Sequence, residues 1–190
     1  QRDTALNDKG RWQAQRAAQV LADGGEPVAA IYSSDLARAW DTARSIGQAL
    51  GRAVTPDRRL RERGFGAFEG HTFVELEQQF PHDAARWRAR DPAWAPPGGE
   101  TLRELGARIQ AATDDLAQRH LGELIVLVAH GGVLDMMYRI ATGQAVDAPR
   151  TWQLGNASIN RLLWSPQGLG LVGWSDTRHL DAHWRDETIS

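Results

Sequence analysis

Three stretches of this chain carry side chains able to bind an anion and move a proton. An apolar run, Leu124 to Ala129, stops at His130-Gly131-Gly132, and a helix-like stretch, Val133 to Thr142, follows. Continuous Val/Ile/Leu runs mark buried parallel strands, and ligands bind just beyond the carboxyl ends of such strands. Glycines allow close approach of backbone N–H groups, and a helix N-terminus favours negative charge. A histidine at that point sits where a phosphate would bind, and it can exchange protons near neutral pH. Ser33-Ser34 closes a second apolar run, and Arg38 lies in the first helical turn beyond it. A guanidinium there can fork onto two phosphate oxygens. The third stretch, Leu60 to Gly70, is dense in glycine, aromatics and charge, with Glu62 between Arg61 and Arg63. Turned into a closed pocket, Glu62 could give or take a proton. Each stretch also has a plain structural reading: a hydrogen-bonded histidine in a turn, a surface arginine paired with Asp35 or Asp41, a solvated salt-bridge loop. Three such signals at successive strand ends argue for one site.

Positioning these residues requires strands alternating with helices. Asn7 is placed to N-cap a first helix with Trp12, Ala17, Val20 and Leu21 roughly on one face, stopped by Gly24-Gly25. Val28 to Tyr32 reads as a short buried strand. A helix follows from about Asp35 to Leu50, with Leu36, Trp40, Ala43, Ile46 and Leu50 at helical spacing. Val54-Thr55 with Arg59-Leu60 suggests a brief strand, and Arg61 to Gly70 a loop. Thr72 to Phe80 and Asp83 to Arg90 read as short helices. After the break at Pro96-Pro97-Gly98-Gly99, Glu100 to His120 repeats Leu102, Leu105, Ile109, Ala112 and Leu116 at intervals of three and four. Ser158 to Trp164 and Leu169 to Trp174 form a hairpin around Pro166-Gln167-Gly168. Asp181 to Ser190 is polar and reads as a loose tail. The pattern predicts an α/β fold: a three-layer αβα sandwich around a mostly parallel central sheet, with a small helical cap at about 72–97.

Composition narrows the function. A length of 190 residues suits one domain. With 22 basic and 24 acidic residues the net charge is −2, which argues against a nucleic-acid partner. The absence of cysteine excludes a thiolate nucleophile, a disulfide framework and a zinc–thiolate site. The apolar runs are too short to span a membrane, and no signal peptide is visible, so the cytoplasm is the expected location. A homodimer is compatible with the chain. The eight tryptophans suit packing, with one or two available to line a substrate mouth.

Taken together, the motifs resemble those of the histidine phosphatase superfamily, also called phosphoglycerate mutase-like. Asp3-Thr4-Ala5-Leu6-Asn7 with Gly10 is similar to the segment entering the family's first helix. Tyr32 to Ala39 with Thr42-Ala43 resembles its second arginine motif, and Leu60-Arg61-Glu62 with Phe65-Gly66 and Phe68-Glu69-Gly70 its acidic loop. Pro97 to Thr101 resembles the entry to its long helix, Val128 to Gly132 its second-histidine motif, and Asn156 to Asn160 its late strand. The resemblance runs over nearly the whole length and implies a single domain over residues 1–190. It implies phosphoryl transfer through a phosphohistidine, with one histidine attacking phosphorus. Arg38, His130 and an arginine beside the nucleophile would hold the phosphoryl oxygens, and Gly131 would lend a backbone N–H. Glu62 would protonate the leaving oxygen and then take a proton from water. No metal and no cofactor is implied, because positive side chains supply the charge.

The family's nucleophile lies in an Arg-His-Gly motif at the end of the first strand, and this sequence contains no such tripeptide. Arg119-His120 and Arg178-His179 are each followed by leucine. The nucleophile is therefore expected upstream of Gln1, the alternative being a relative that lacks it and does not turn over substrate. In the implied fold the first strand is central. Without it, backbone groups on both sides lose partners at about 1–3 kcal/mol each. A domain's whole stability is about 5–15 kcal/mol. The expectation is thus an extra strand beside the His130 strand, or a partner chain or rearranged segment in its place.

Phe65 to Gly70 looks more like the small bacterial phosphatases than the mutases, which carry a longer insertion. In the cap, Arg86, Trp87, Arg88, Arg90 and Trp94 read either as a lid whose arginines meet a second anionic group or as a cap with a solvated basic face. The expected activity is hydrolysis of small phosphomonoesters, with a small phosphorylated metabolite and inorganic phosphate as ligands. A phosphoglycerate mutase and a non-catalytic phosphate-binding relative are the alternatives. His71, His82, His120, His179 and His183 are given no role, although His71 and His82 lie near enough to the cap to touch substrate.

Overall fold

The computed structural model describes residues 3–181; His183 and most of the polar tail lie outside them. Three parallel strands form the central sheet: β1 (Val28–Ser33), β2 (Val54–Pro56) and β3 (Leu124–Val128), in the order β2-β1-β3. Ile31 pairs with Val54 on one side and Val126 on the other, and Ser33 with Pro56 and Val128. Both chemistry-bearing strand ends, Ser33-Ser34 and Val128-Ala129-His130, are thereby brought to the same edge of the molecule.

Side chains alternate across this sheet, as the period of a strand requires. Val28, Ile31, Val126 and Val128 face a cluster with Ala18 and Ile46, contributed by α1 (Asp8–Asp23) and α2 (Ala37–Leu50). Tyr32, Leu127 and Ala129 face the other cluster, built on Leu105, Ile109, Val133, Met136 and Met137 from α5 (Leu102–Arg119) and α6 (Gly131–Thr142). Helices therefore cover both faces, giving the expected three layers. Each aliphatic side chain fully buried here contributes roughly 1.5–3 kcal/mol.

The helix ends follow the local signals. Asn7 accepts a hydrogen bond from Gly10 N at 2.8 Å and starts α1. The buried face of α1 is Ala14, Ala17 and Ala18, and Val20 is exposed, contrary to the sequence reading. Small residues suit that face because α2, itself buried through small residues such as Ala39 and Ala43, packs against α1. Arg59-Leu60 is not strand: Asp57 accepts from Arg59 N at 2.9 Å and turns Arg58–Leu60 into a 3₁₀ turn. The cap comprises α3 (Phe73–Gln79) and α4 (Pro81–Arg88). A capping box between Thr72 and Glu75 begins α3, and α4 starts at Pro81, earlier than expected, because proline suits the first helical position. The cap has its own small core of Phe68, Leu76, Ala84 and Trp94, with Phe65 and Trp87 packed on it.

The hairpin is β4 (Ile159–Ser165) and β5 (Gly168–Asp176), antiparallel and separate from the central sheet. Among the described residues, β3 pairs only with β1, and β4 only with β5. No segment of residues 3–181 occupies the place expected for an extra strand beside β3.

Candidate active site

His130 ends the link from β3 and is the N-cap residue of α6, with extended backbone and 7 % exposure. Its Nε2 lies 2.8 Å from Ser34 Oγ, at the end of β1, and Ser34 is fully buried. Ser34 Oγ accepts from Leu36 N at 3.2 Å, so its O–H is free to donate to a neutral imidazole at Nε2. Burial pushes the His130 pKa below the ordinary histidine value. Glu62 opposes that shift, Arg38 reinforces it, Asp3 opposes it and Arg108 reinforces it. Side chains distant in sequence thus share one electrostatic environment around His130.

Glu62 reaches this environment from the loop after the 3₁₀ turn. Its Oε1 accepts from Arg63 N at 2.8 Å and its Oε2 from Gly132 N at 3.0 Å. The carboxylate is thereby fixed against the first turn of α6, where the positive end of the helix dipole favours it. A Cβ on Gly132 would overlap Glu62 Oε1, so a side chain there would displace the carboxylate from this position. The sequence reading let both glycines approach a ligand and named only Gly131 as phosphate-binding; in the structure Gly132 N is engaged by Glu62, and Gly131 is exposed at the helix start. Both glycines belong to α6, whose start at Gly131 is earlier than expected.

The flanking arginines turn away to brace the loop. Arg61 grips both oxygens of Asp35 at 2.5 and 2.6 Å, which removes Asp35 as a partner of Arg38 and holds the Asp35 carboxyl below its usual pKa. Arg63, 9 % exposed, donates to Glu100 O at 2.8 Å and Trp94 O at 3.3 Å and lies 5.1 Å over the Trp87 ring. Arg108 joins α5 to the same loop, donating to the carbonyls of Arg59 and Arg61 at 2.5 and 2.9 Å. The loop also packs on the Pro97-Gly98-Gly99 turn: Ala67 N donates to Pro97 O at 2.9 Å and Glu100 N to Gly64 O at 2.8 Å.

Arg38 sits in the first turn of α2 and donates to Thr4 Oγ1 at 2.8 Å. The N-cap of α2, Leu36, has no capping side chain; Asp3 supplies the missing acceptor, taking Ala37 N at 2.6 Å. Thr4 and Asp3 were quoted in the sequence only as part of a motif, and Ser34 had no role. The signal for Ser34 was a polar residue at a buried strand end; Asp3 and Thr4 are identified only by their contacts with the start of α2.

The cap arginines have acidic and carbonyl partners within the protein. Arg86 pairs with Asp91 at 2.7 Å and Arg88 with Glu77. Arg90 turns inward, with φ +53°, to Val146 O at 3.1 Å and Asp135 Oδ2 at 3.4 Å. His120 bonds Tyr32 Oη and Glu123, His179 bonds Ala157 O, and His71 and His82 are exposed. Among the described residues, no three His, Asp or Glu side chains are grouped to hold a metal ion. A concavity of about 690 Å³ opens beside Glu62, bounded by Leu36, Arg58, Arg61 and Arg108. A larger one, about 810 Å³, lies between Leu6, Trp40 and Arg52 and touches neither Arg38, Glu62 nor His130.

Comparison with known proteins shows the family and the fold. The model of the histidine phosphatase superfamily, branch 1, matches residues 1–177. The chain is 39 % identical over 166 residues to a glucosyl-3-phosphoglycerate phosphatase of Mycolicibacterium vanbaalenii, covering 83 % of this chain and 72 % of that protein. It is 34 % identical over 184 residues to a metal-independent phosphoserine phosphatase of Arabidopsis thaliana, covering 95 % and 74 %. A mycobacterial glucosyl-3-phosphoglycerate phosphatase solved with inorganic phosphate superimposes with a TM-score of 0.80 at 32 % identity, over 94 % of this chain and 91 % of that one. Fold, family model and relatives agree along almost the entire described chain, and it belongs to branch 1 of the histidine phosphatase superfamily.

Proposed function

We propose that this protein hydrolyses small phosphomonoesters through a phosphohistidine, without a metal, in the cytoplasm. The observation behind the proposal is the shared surroundings of His130, Arg38 and Glu62 at the carboxyl ends of β1 and β3. Arg38, His130 and the exposed N–H of Gly131 would hold the phosphoryl oxygens, stabilising charge as it develops. Glu62, fixed between Arg63 N and Gly132 N, would give its proton to the leaving oxygen and recover one from the attacking water. The phosphoryl group would pass to a histidine outside residues 1–190, on a strand laid along β3. What supports that reading is that β3 is an edge strand of the central sheet among the described residues, leaving its outer side open to a pairing partner.

The named relatives act on glucosyl-3-phosphoglycerate and phosphoserine, both phosphomonoesters of small polar alcohols. They favour hydrolysis over the mutase alternative. The test is release of inorganic phosphate from a monoester panel by the purified protein. Release that withstands EDTA and is blocked by vanadate is expected, together with an acid-labile phosphoprotein. Tight phosphate binding with no turnover and no phosphoprotein would replace hydrolysis with the binding-protein alternative.

A further inference from the structure

The concavity of about 810 Å³ lined by α2, Val54 of β2 and residues around the start of α1 takes no part in the site described above. Its size suits a small molecule. Trp40, Arg44 and Gln48 line it from α2 at intervals of four, so they form one ridge along the helix. The chain after the helix prolongs that wall. Arg52 N donates to Gly47 O at 2.9 Å, which folds the backbone back and sets Arg52 on the lining. Gly47 permits this close return, since a Cβ there would lie 2.7 Å from Arg52 O.

The groups on the wall differ in how they are occupied. Arg11 is engaged by Asp8 and donates to Leu6 O at 2.6 Å. The side chains of Trp40, Asp41, Arg44 and Arg52 make no hydrogen bond, ion pair or ring contact among the described residues. Trp40 is half-buried, and both of these arginines are exposed. An indole face takes a flat ring by stacking. A guanidinium forks onto phosphate oxygens. Arg44 lies about 6 Å from Trp40 along the helix axis, and Arg52 follows beyond it. Positive charge is thus strung out from the ring rather than gathered at one point. Asp41, next to Trp40, is an acceptor for a hydroxyl or an amine. A base, a sugar and a trailing chain of phosphates meet these requirements in order. An inorganic anion uses neither Trp40 nor Asp41, and a neutral aromatic leaves both arginines without a partner.

We propose that this concavity is a nucleotide site. The base stacks on Trp40, Asp41 accepts from a sugar hydroxyl or a base amine, and Arg44 and Arg52 hold the phosphates. The lining includes none of Arg38, Glu62 and His130, so the site stands apart from the phosphatase reading.

The probe is α,β-methylene-ADP, whose diphosphate bridge resists hydrolysis. Its binding is measured by calorimetry at low ionic strength, where exposed arginines are least screened. A Kd of roughly 10–100 µM is expected. Adenosine, which lacks the charge, and methylenediphosphonate, which lacks the ring, should each bind at least about tenfold more weakly. Arg44→Glu and Arg52→Glu alter exposed side chains without packing partners, and each should weaken the nucleotide by about tenfold or more. Trp40→Ala should do the same, and Trp40→Phe should keep most of the affinity. His130→Gln should leave it unchanged. Absence of binding at millimolar nucleotide overturns the proposal. So does methylenediphosphonate binding as tightly as the nucleotide. Affinity lost in His130→Gln but retained in Arg44→Glu also overturns it, because the ligand would then sit at the phosphoryl site.

Discussion

His130 Nε2 and Ser34 Oγ stand 2.8 Å apart, ninety-six positions from one another along the chain, and both residues are buried. Parallel pairing of Ser33 with Val128 creates this contact, because it brings the residues following each strand end side by side. Burial keeps the imidazole neutral, and a neutral imidazole accepts the serine hydroxyl.

Stability should therefore depend on pH through His130. Its folded pKa is below the ordinary 6.5, so between the two values the unfolded chain binds the extra proton. The contribution is complete above about pH 6.5 and is lost as the pH falls from there through the lowered folded value. Urea midpoints across pH 4.5–7.5 should fall more steeply towards acid in the wild-type protein than in His130→Gln. Parallel slopes for the two proteins would refute the assignment.

Gly132→Ala places a methyl group on Glu62 Oε1 and forces the carboxylate off its backbone donors. Steady-state kinetics should show kcat reduced by about 10–100-fold from the misplaced acid. Gly131→Ala, whose Cβ would meet only Leu154 Cδ2 at 4.0 Å, should cost much less.

Gly66 stands at φ +49°, and a Cβ there would overlap Pro97 O. Both the left-handed backbone and the clash against main chain oppose any side chain. Gly66→Ala should lower unfolding free energy by about 2–4 kcal/mol, measured by urea titration. Near-wild-type stability would show that the loop carrying Glu62 does not need its seat on the Pro97-Gly98-Gly99 turn.

Asp135 Oδ2 holds two arginines, Arg139 at 2.9 Å and Arg90 at 3.4 Å, and Arg139 is 1 % exposed. Asp135→Ala leaves that guanidinium buried without its carboxylate, which costs about 3–5 kcal/mol. Thermal unfolding should show the loss, and replacing Arg139 with methionine in the same protein should recover much of it.

The sequence by itself determined the layered α/β fold, the cap and the three polar stretches. Those signals are local: apolar runs for buried strands, spacing of three and four for α5, and proline and glycine at breaks. Even the absence of an Arg-His-Gly tripeptide needed no coordinates. The sequence was misleading where a neighbour decided the outcome. Alanines, not Val20, face inward on α1 because α2 lies close against them. Arg59-Leu60 became a turn because the Asp57 side chain caps it. Which acid each arginine takes, which glycine receives Glu62 and which serine meets His130 were decided only by tertiary structure. Charge type is written in the chain, but the partner of a long flexible guanidinium depends on every acid within its reach. Asp35 is near Arg38 in sequence, yet it is taken by Arg61 from across the site.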